Sequence, residues 1–197
     1  MSLIADPVPA RTPARTPARI PARTPVRRPS GAAALAVALT LRTDLWEPLV
    51  EYRAESRWTR LVDPAEAAAV LDPVRDAAMS EELAGAQIWL LSWLPGQGTD
   101  LHDHGASAGA FAVARGTLTE RVVAARSGGP VHQATADLAA GRVRSFGPHY
   151  VHQVTNSLDQ AAVSVHVYAP ALRWMNTYRV DEDALVRTGT ERAGVDW

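Results

Sequence analysis

The expected fold follows from one stretch, WLPGQGTDLHDHGASAGAFAVARGTLTE, which spans residues 93–120. His102 and His104 stand at its centre with only Asp103 between them. In an extended strand, residues i and i+2 point to the same face, so both imidazoles can bind one metal ion while Asp103 points the other way. Gly116 marks a point where the chain can turn with a positive φ. The stretch therefore predicts a metal site carried on a β-strand.

A second motif, GRVRSFGPHYVHQVTN, spans residues 141–156 and contributes His152. A lone histidine is more often a hydrogen-bonded polar group than a ligand, but a His-x-His pair followed by a third histidine favours a metal centre. We therefore expect His102, His104 and His152 to be the metal ligands. Imidazole suits iron, copper, zinc and nickel alike, so the spacing does not name the metal.

The two motifs together resemble the metal-binding motifs of the cupin superfamily, whose fold is a small jelly-roll β-barrel. The resemblance implies a mainly β protein with a single cupin barrel, and we expect the N-terminal helices to pack outside it. Cupins usually carry a Glu four or five positions after the second His. Gly109 stands there instead, and Glu120 lies too far along the chain. Three neutral imidazoles leave the metal's charge uncompensated, which favours an anionic substrate bound directly to it.

Composition excludes several other classes of function. The 197 residues carry a net charge of −1, which gives no sign of nucleic-acid binding. Disulfides, zinc–thiolate sites and thiol nucleophiles are excluded because the chain has no cysteine. No apolar run reaches the roughly 18 residues of a membrane span. We expect a monomeric, cytoplasmic protein with no nucleic-acid or membrane partner.

The first 30 residues differ from the rest in composition. They repeat a short unit rich in Arg and Pro and hold six Arg against one Asp. Because proline disfavours helix, we expect a disordered arm over residues 1–30 and one domain over 31–197. So basic an arm suits nucleic acid or an anionic membrane, but a solvated tail is the simpler interpretation. The apolar run Ala32–Leu41 resembles an export signal. Because no clear cleavage site follows it, the run is better interpreted as the first helix of the domain.

The domain is expected to begin with helices, within residues 31–83. Helices are predicted at 31–42 and 44–53, the second capped by Thr43 or Asp44, and a helical patch at 64–83 is broken by Pro73.

The rest of the chain reads as short strands separated by turn residues, as in a sandwich or barrel. The barrel is expected over 87–170, with residues 110–125 forming a hairpin around Gly116. Residues 171–197 are expected to wrap it as mostly irregular chain. The predicted strands are 57–61, 87–94, 110–114, 117–125, 132–138, 143–146, 151–155 and 161–168.

One strand near the C-terminus carries three polar side chains on one face. Ser164, His166 and Tyr168 alternate with Val165 and Val167. A hydroxyl, an imidazole and a phenol in a row can pass a hydrogen bond inward, fixing the histidine tautomer and aiming the Tyr168 hydroxyl. A strand with a polar outer face is the alternative interpretation.

With the histidine motifs, this strand resembles the cysteine dioxygenase family of thiol dioxygenases, in its bacterial branch. The matching pieces are PGQGTDLHDHGASAG, HQVTN and SVHVYAP, within a resemblance over roughly residues 45–178. The resemblance implies that the three histidines hold Fe(II) and that Ser164, His166 and Tyr168 are the outer-sphere catalytic set. The expected reaction oxidises L-cysteine with O2 to cysteine sulfinic acid.

The carboxylate-binding arginine of this family lies in a Tyr-x-Arg segment upstream of the metal strand. Trp58-Thr59-Arg60 is the best match, so the resemblance implies that Arg60 binds the substrate; Arg57, Arg75 and Arg173 compete for this role. Animal members have a cysteine, cross-linked to the tyrosine, at the place of Gly109. No such cross-link can form here. Two other functions stay open: a dioxygenase of another small thiol such as 3-mercaptopropionate, and a non-catalytic metal-binding cupin.

Overall fold

The computed structural model describes residues 31–71, 77–126 and 129–195, so the predicted arm over 1–30 lies outside the described residues. Within those ranges the helices are α1 (Gly31–Thr40), α2 (Thr43–Trp46), α3 (Pro64–Val70) and α4 (Ala77–Gly85). The strands are β1 (Trp58–Val62), β2 (Gln87–Trp93), β3 (Leu101–Asp103), β4 (Ala108–Arg115), β5 (Thr117–Arg126), β6 (Gly129–Ala139), β7 (Val143–Phe146), β8 (Val151–Thr155), β9 (Ala162–Ala169), β10 (Trp174–Asp181) and β11 (Ala184–Arg192).

The strands form two antiparallel sheets, which confirms the expected mainly β, cupin-type barrel. One sheet has the order β1-β2-β9-β4-β7 and the other β11-β10-β3-β8-β5-β6. Aromatic and aliphatic side chains from both sheets pack into one interior core, among them Trp93, Phe111 and Val154. The predicted metal motif therefore lies in the sheet opposite the one that carries β9.

Strand β9 shows how alternation separates the inside of the barrel from the outside. Its odd-numbered valines pack with Leu35 and Leu39 of α1 in a second core. Its even-numbered residues Ser164, His166 and Tyr168 are buried on the opposite, interior side. The helices thus cover the outer face of the five-stranded sheet, as expected.

The helices differ from the predicted ones at their ends. Helix α2 ends at Trp46 rather than near residue 53, because Pro48 cannot donate the next backbone hydrogen bond. Its N-cap is Arg42, so neither Thr43 nor Asp44 caps it. Pro73 of the predicted break lies outside the described residues. None of the helices described here is long and apolar enough to cross a bilayer.

The predicted hairpin around Gly116 is wrong. Strand β4 pairs with β7 and β9, whereas β5 pairs with β6 and β8 in the other sheet. Gly116 has φ +73°, and a Cβ there would lie 2.7 Å from the carbonyl oxygen of Ala161. The chain therefore uses this glycine as a corner that carries it from one sheet to the other.

The C-terminal residues are also more regular than predicted. Strands β10 and β11 form a hairpin, and β10 pairs with β3 through Thr177 and His102. Only alternate residues of β10, Met175 and Thr177, are buried, and most of the others are polar. This weak apolar pattern explains why the sequence alone favours irregular chain over these residues.

Asp103 fixes β3 against β10. Its buried carboxylate accepts hydrogen bonds from the Gly105 N–H at 2.9 Å, Asn176 Nδ2 at 2.8 Å and the Tyr178 hydroxyl at 2.7 Å. Burial acts to raise the pKa of Asp103, but these hydrogen bonds outweigh it and hold the pKa below its usual value. Asp103 thus points away from the barrel interior and holds the backbone between His102 and His104.

The Gly109→Ala substitution should destabilise the barrel. A Cβ at residue 109 would clash with the carbonyl oxygen of Val167 on β9. We expect urea denaturation to show a loss of about 1–3 kcal/mol in the free energy of unfolding. Gly147→Ala is the matched control, because a Cβ there meets no atom within 4 Å. Equal stability of the two variants would contradict this packing argument.

Asp103→Asn should remove a pH-dependent part of the stability of the metal-free protein. Because the fold lowers the pKa of Asp103, its carboxylate stabilises the protein above its ordinary pKa, about 3.9. That contribution is lost as the pH falls through the lowered value. We expect a deficit of about 1–3 kcal/mol at pH 7 that shrinks towards pH 3, measured by denaturation at each pH. A stability deficit that stays constant between pH 7 and pH 3 would contradict this interpretation.

Candidate metal centre

Three histidine rings meet inside the barrel. His102 lies in β3 opposite His152 in β8, and His104 follows directly after β3. One ring nitrogen from each lies within 4.8 Å of the others. All three side chains are buried. The structure therefore brings the three predicted ligands together on the inner side of the six-stranded sheet.

The ring nitrogens show which atoms are left to bind a metal. His102 Nδ1 lies 2.8 Å from the Asp100 carbonyl oxygen, and His152 Nδ1 lies 2.8 Å from Glu120 Oε1, so Nε2 of each ring remains. His152 Nε2 and His104 Nδ1 are buried with no hydrogen-bond partner among the described residues. Such an orphaned group costs about 1–3 kcal/mol. A metal ion that accepts these rings as ligands offsets that cost, so the site fits one.

The protonation states suit metal binding. Burial, together with the neighbouring His152, lowers the pKa of His102 to about 3. Burial also lowers the pKa of His104 well below its ordinary value, with His102 and His152 adding to the effect. Both rings are therefore neutral at pH 7, as a metal ligand must be.

Sequence reasoning missed the contribution of Glu120. Its buried carboxylate contacts His152 Nδ1 through Oε1, which also accepts a 3.3 Å hydrogen bond from the Tyr150 hydroxyl. Arg144 Nε donates to Oε2. Burial acts to raise the pKa of Glu120, but His152 and Arg144 outweigh it and the pKa is lowered. Glu120 is not part of the clustered triad; it contacts Nδ1 of His152, one of the three predicted ligands.

Ser164, His166 and Tyr168 form a buried row of hydrogen bonds beside the histidines. Ser164 Oγ lies 2.9 Å from His166 Nε2, and the Tyr168 hydroxyl lies 3.4 Å from His166 Nδ1. Trp93 Nε1 donates to Ser164 Oγ at 2.9 Å, and the Ser164 hydroxyl hydrogen can then donate to His166 Nε2. In that tautomer His166 Nδ1–H faces the phenol oxygen, which leaves the Tyr168 proton for the cavity.

The charge states of this row follow from its burial. Burial lowers the pKa of His166 well below its ordinary value, aided by His152, Arg57 and His102. Burial raises the pKa of Tyr168, and Arg57 only partly opposes this. At neutral pH the imidazole is therefore neutral and the phenol protonated, so Tyr168 can donate a hydrogen bond but carries no negative charge.

A cavity of about 420 Å³ gives access to these groups. Next to it lies a small inner chamber, which is lined by the three clustered histidines, His166 and Tyr168. The cavity and the chamber have four lining residues in common: Arg57, Thr99, His102 and Met175. Asp100 and Glu191 also line the outer cavity. In the described part of the chain, this wall thus combines one arginine with two carboxylates.

Arg57 is the arginine that reaches this cavity. Its guanidinium lies 5.1 Å from the ring centroid of Trp93, and Nη1 donates to the Gly98 carbonyl oxygen at 3.0 Å. Burial lowers the pKa of Arg57, which the surrounding acidic groups oppose, and arginine stays protonated at neutral pH. A cation in this position can pair with an anionic substrate.

Arg60 is placed elsewhere. It pairs with Leu90 across β1 and β2, on the face that packs against the helices, and its Nη2 lies 2.9 Å from Glu66 Oε1. It lines neither the outer cavity nor the inner chamber. Arg173 is exposed, and Arg75 lies outside the described residues. Of these arginines, Arg57 is therefore the one in the described part of the chain that lines the cavity and the inner chamber.

The solved structures that match this chain are only distantly similar to it. The protein TT1209 from Thermus thermophilus is 21% identical, with a TM-score of 0.45 over 64% of this chain and 93% of that one. A Klebsiella pneumoniae protein with a double-stranded β-helix domain is 16% identical, with a TM-score of 0.43 over 72% and 92%. Oxalate decarboxylase from Bacillus subtilis is 17% identical, with a TM-score of 0.46 over 66% and 30%.

Among curated proteins, none matches the sequence significantly. A family model, by contrast, matches more than half of the chain. Its description is cysteine dioxygenase type I, and it matches residues 62–181. That segment contains the three clustered histidines and the Ser164-His166-Tyr168 row. The chain belongs to the cysteine dioxygenase type I family.

Proposed function

We propose that this protein is a non-haem Fe(II) thiol dioxygenase that oxidises L-cysteine with O2 to cysteine sulfinic acid. The observation that carries the proposal is the meeting of three buried imidazoles, the buried Tyr168 phenol and the half-buried Arg57 around one cavity. His102, His104 and His152 would hold the iron. When bound, iron would supply the activation of O2 and the binding of sulfur as thiolate.

Arg57 is proposed to bind the substrate carboxylate. It is the cation of the cavity wall, and a guanidinium can hold a carboxylate by two parallel hydrogen bonds. Asp100 and Glu191 line the same cavity, so a thiol that carries an ammonium group meets complementary charge there. This charge pattern favours cysteine over 3-mercaptopropionate, which has no amine.

Tyr168 is proposed to donate its hydroxyl hydrogen to the substrate. His166 and Ser164 act by holding the phenol in place, since Trp93 anchors the far end of the row. The surrounding aromatic side chains, including Phe111 and Phe146, exclude bulk water, which strengthens each of these hydrogen bonds. The protein thus supplies mainly proximity and orientation.

The iron-loaded protein should consume O2 fastest with L-cysteine. The panel to test is cysteine, homocysteine, cysteamine and 3-mercaptopropionate, measured with an oxygen electrode together with metal analysis and identification of the product. His104→Ala should lose iron and activity together, because two imidazoles with no third donor hold the metal weakly.

His132 on β6 offers the control His132→Ala, since this residue is not part of the clustered triad. This variant should keep both iron and activity. A preference for 3-mercaptopropionate would replace cysteine as the substrate. If the wild type binds iron but consumes no O2 with any thiol, the protein is a non-catalytic metal-binding cupin.

Arg57→Gln should lower kcat/KM for cysteine by about 10- to 100-fold, the loss expected for a hydrogen bond to a charged group. Turnover of cysteamine, which has no carboxylate, should change much less. The matched control is Arg60→Gln, because Arg60 pairs with Glu66 outside the cavity. Steady-state kinetics of both variants decide between the two arginines: a larger loss for Arg60→Gln would return the role to Arg60.

A further inference from the structure

We propose that Glu120 is a positioning residue for the metal centre, which it serves by fixing the tautomer and orientation of His152. This inference rests on the metal centre of the proposed function. It adds a buried carboxylate that lies outside the three ligands and outside the Ser164-His166-Tyr168 row. Glu120 is placed to hold the proton of His152 on Nδ1 and so to leave Nε2 for the metal.

The geometry of β5 and β8 brings the two side chains together. Val122 is the direct partner of His152 across these strands, and Glu120 is the partner of Val154. Residues 120 and 122 share one face of β5, so the carboxylate reaches the imidazole diagonally. The contact is 2.8 Å long between Oε1 and Nδ1, and both side chains are buried.

The carboxylate itself is held rigidly. Oε1 also accepts the Tyr150 hydroxyl at 3.3 Å, and Oε2 accepts from Arg144, whose side chain is partly exposed. A carboxylate is an acceptor only, so it can bind His152 only in the tautomer that carries hydrogen on Nδ1. In this tautomer the lone pair is on Nε2, the nitrogen that has no hydrogen-bond partner among the described residues.

The same contact supplies the charge that the three ligands lack. Three imidazoles contribute no negative charge to a divalent ion, and the carboxylate of Glu120 stands one hydrogen bond behind one of them. A carboxylate in this position raises the basicity of the imidazole, and its loss typically weakens metal affinity 10- to 100-fold. The partly exposed Arg144 pairs with the other oxygen of this carboxylate.

The competing explanation is that Glu120 only forms a structural ion pair with Arg144. Co(II) titration of the metal-free protein separates the two, because it measures affinity without turnover. Glu120→Gln should weaken Co(II) binding 10- to 100-fold. Arg144→Gln, which removes the ion pair but leaves Glu120 on His152, should change the affinity several-fold less. Glu66→Gln is the matched control at a surface ion pair and should bind as wild type does.

A second measurement needs no variant. Nitrogen-15 NMR of the imidazoles in the metal-free wild type should show His152 with hydrogen on Nδ1. Hydrogen on Nε2 would overturn the proposal, and so would a folded Glu120→Gln protein with wild-type Co(II) affinity. Equal losses in Glu120→Gln and Arg144→Gln would assign Glu120 to the ion pair instead. Failure of the wild type to bind either Co(II) or Fe(II), with His152 in the expected tautomer, would reject the proposed metal centre while leaving the contact intact.

Discussion

Burial of three imidazoles side by side is the constraint on which this structure depends. The barrel interior around them is largely apolar and aromatic, and nitrogen atoms without partners are costly there. Burial keeps the rings of His102 and His104 neutral. The Asp100 carbonyl and Glu120 hold the outer nitrogens of two rings. One ring nitrogen of each histidine lies within 4.8 Å of the others, so one ion can offset the cost of burying all three rings.

The two sheets divide the chemistry between them. The three histidines come from β3, the residue after it and β8, all on the six-stranded sheet, whereas Ser164, His166 and Tyr168 come from β9 on the five-stranded sheet. Arg57 directly precedes β1, at the edge of that same sheet. The candidate site therefore lies between the two sheets, with the three histidines on one side and the cation and phenol on the other.

Local pattern was sufficient to predict much of this arrangement. Alternation identified most strands, and spacing of two placed His102 with His104 and Ser164 with His166 and Tyr168 on shared faces. It did not reveal the corner at Gly116, because a glycine beside alternating strands is equally typical of a hairpin. The same error explains why the role of Glu120 was not predicted. Glu120 is far from the histidines along the chain, but the corner at Gly116 carries β5 into the other sheet, where it pairs with β8.

A single step of strand parity separates the arginine that lines the cavity from the one that does not. Trp58 and Arg60 lie two residues apart and so share a face, and Trp58 is buried in the core beneath the helices. Arg60 therefore follows it to the outer side of the sheet. Arg57, an odd number of residues away, extends to the interior, over the ring of Trp93. The large aromatic side chain at position 58 packs on the helix-covered face, and this preference decides which of the two guanidinium groups lines the cavity.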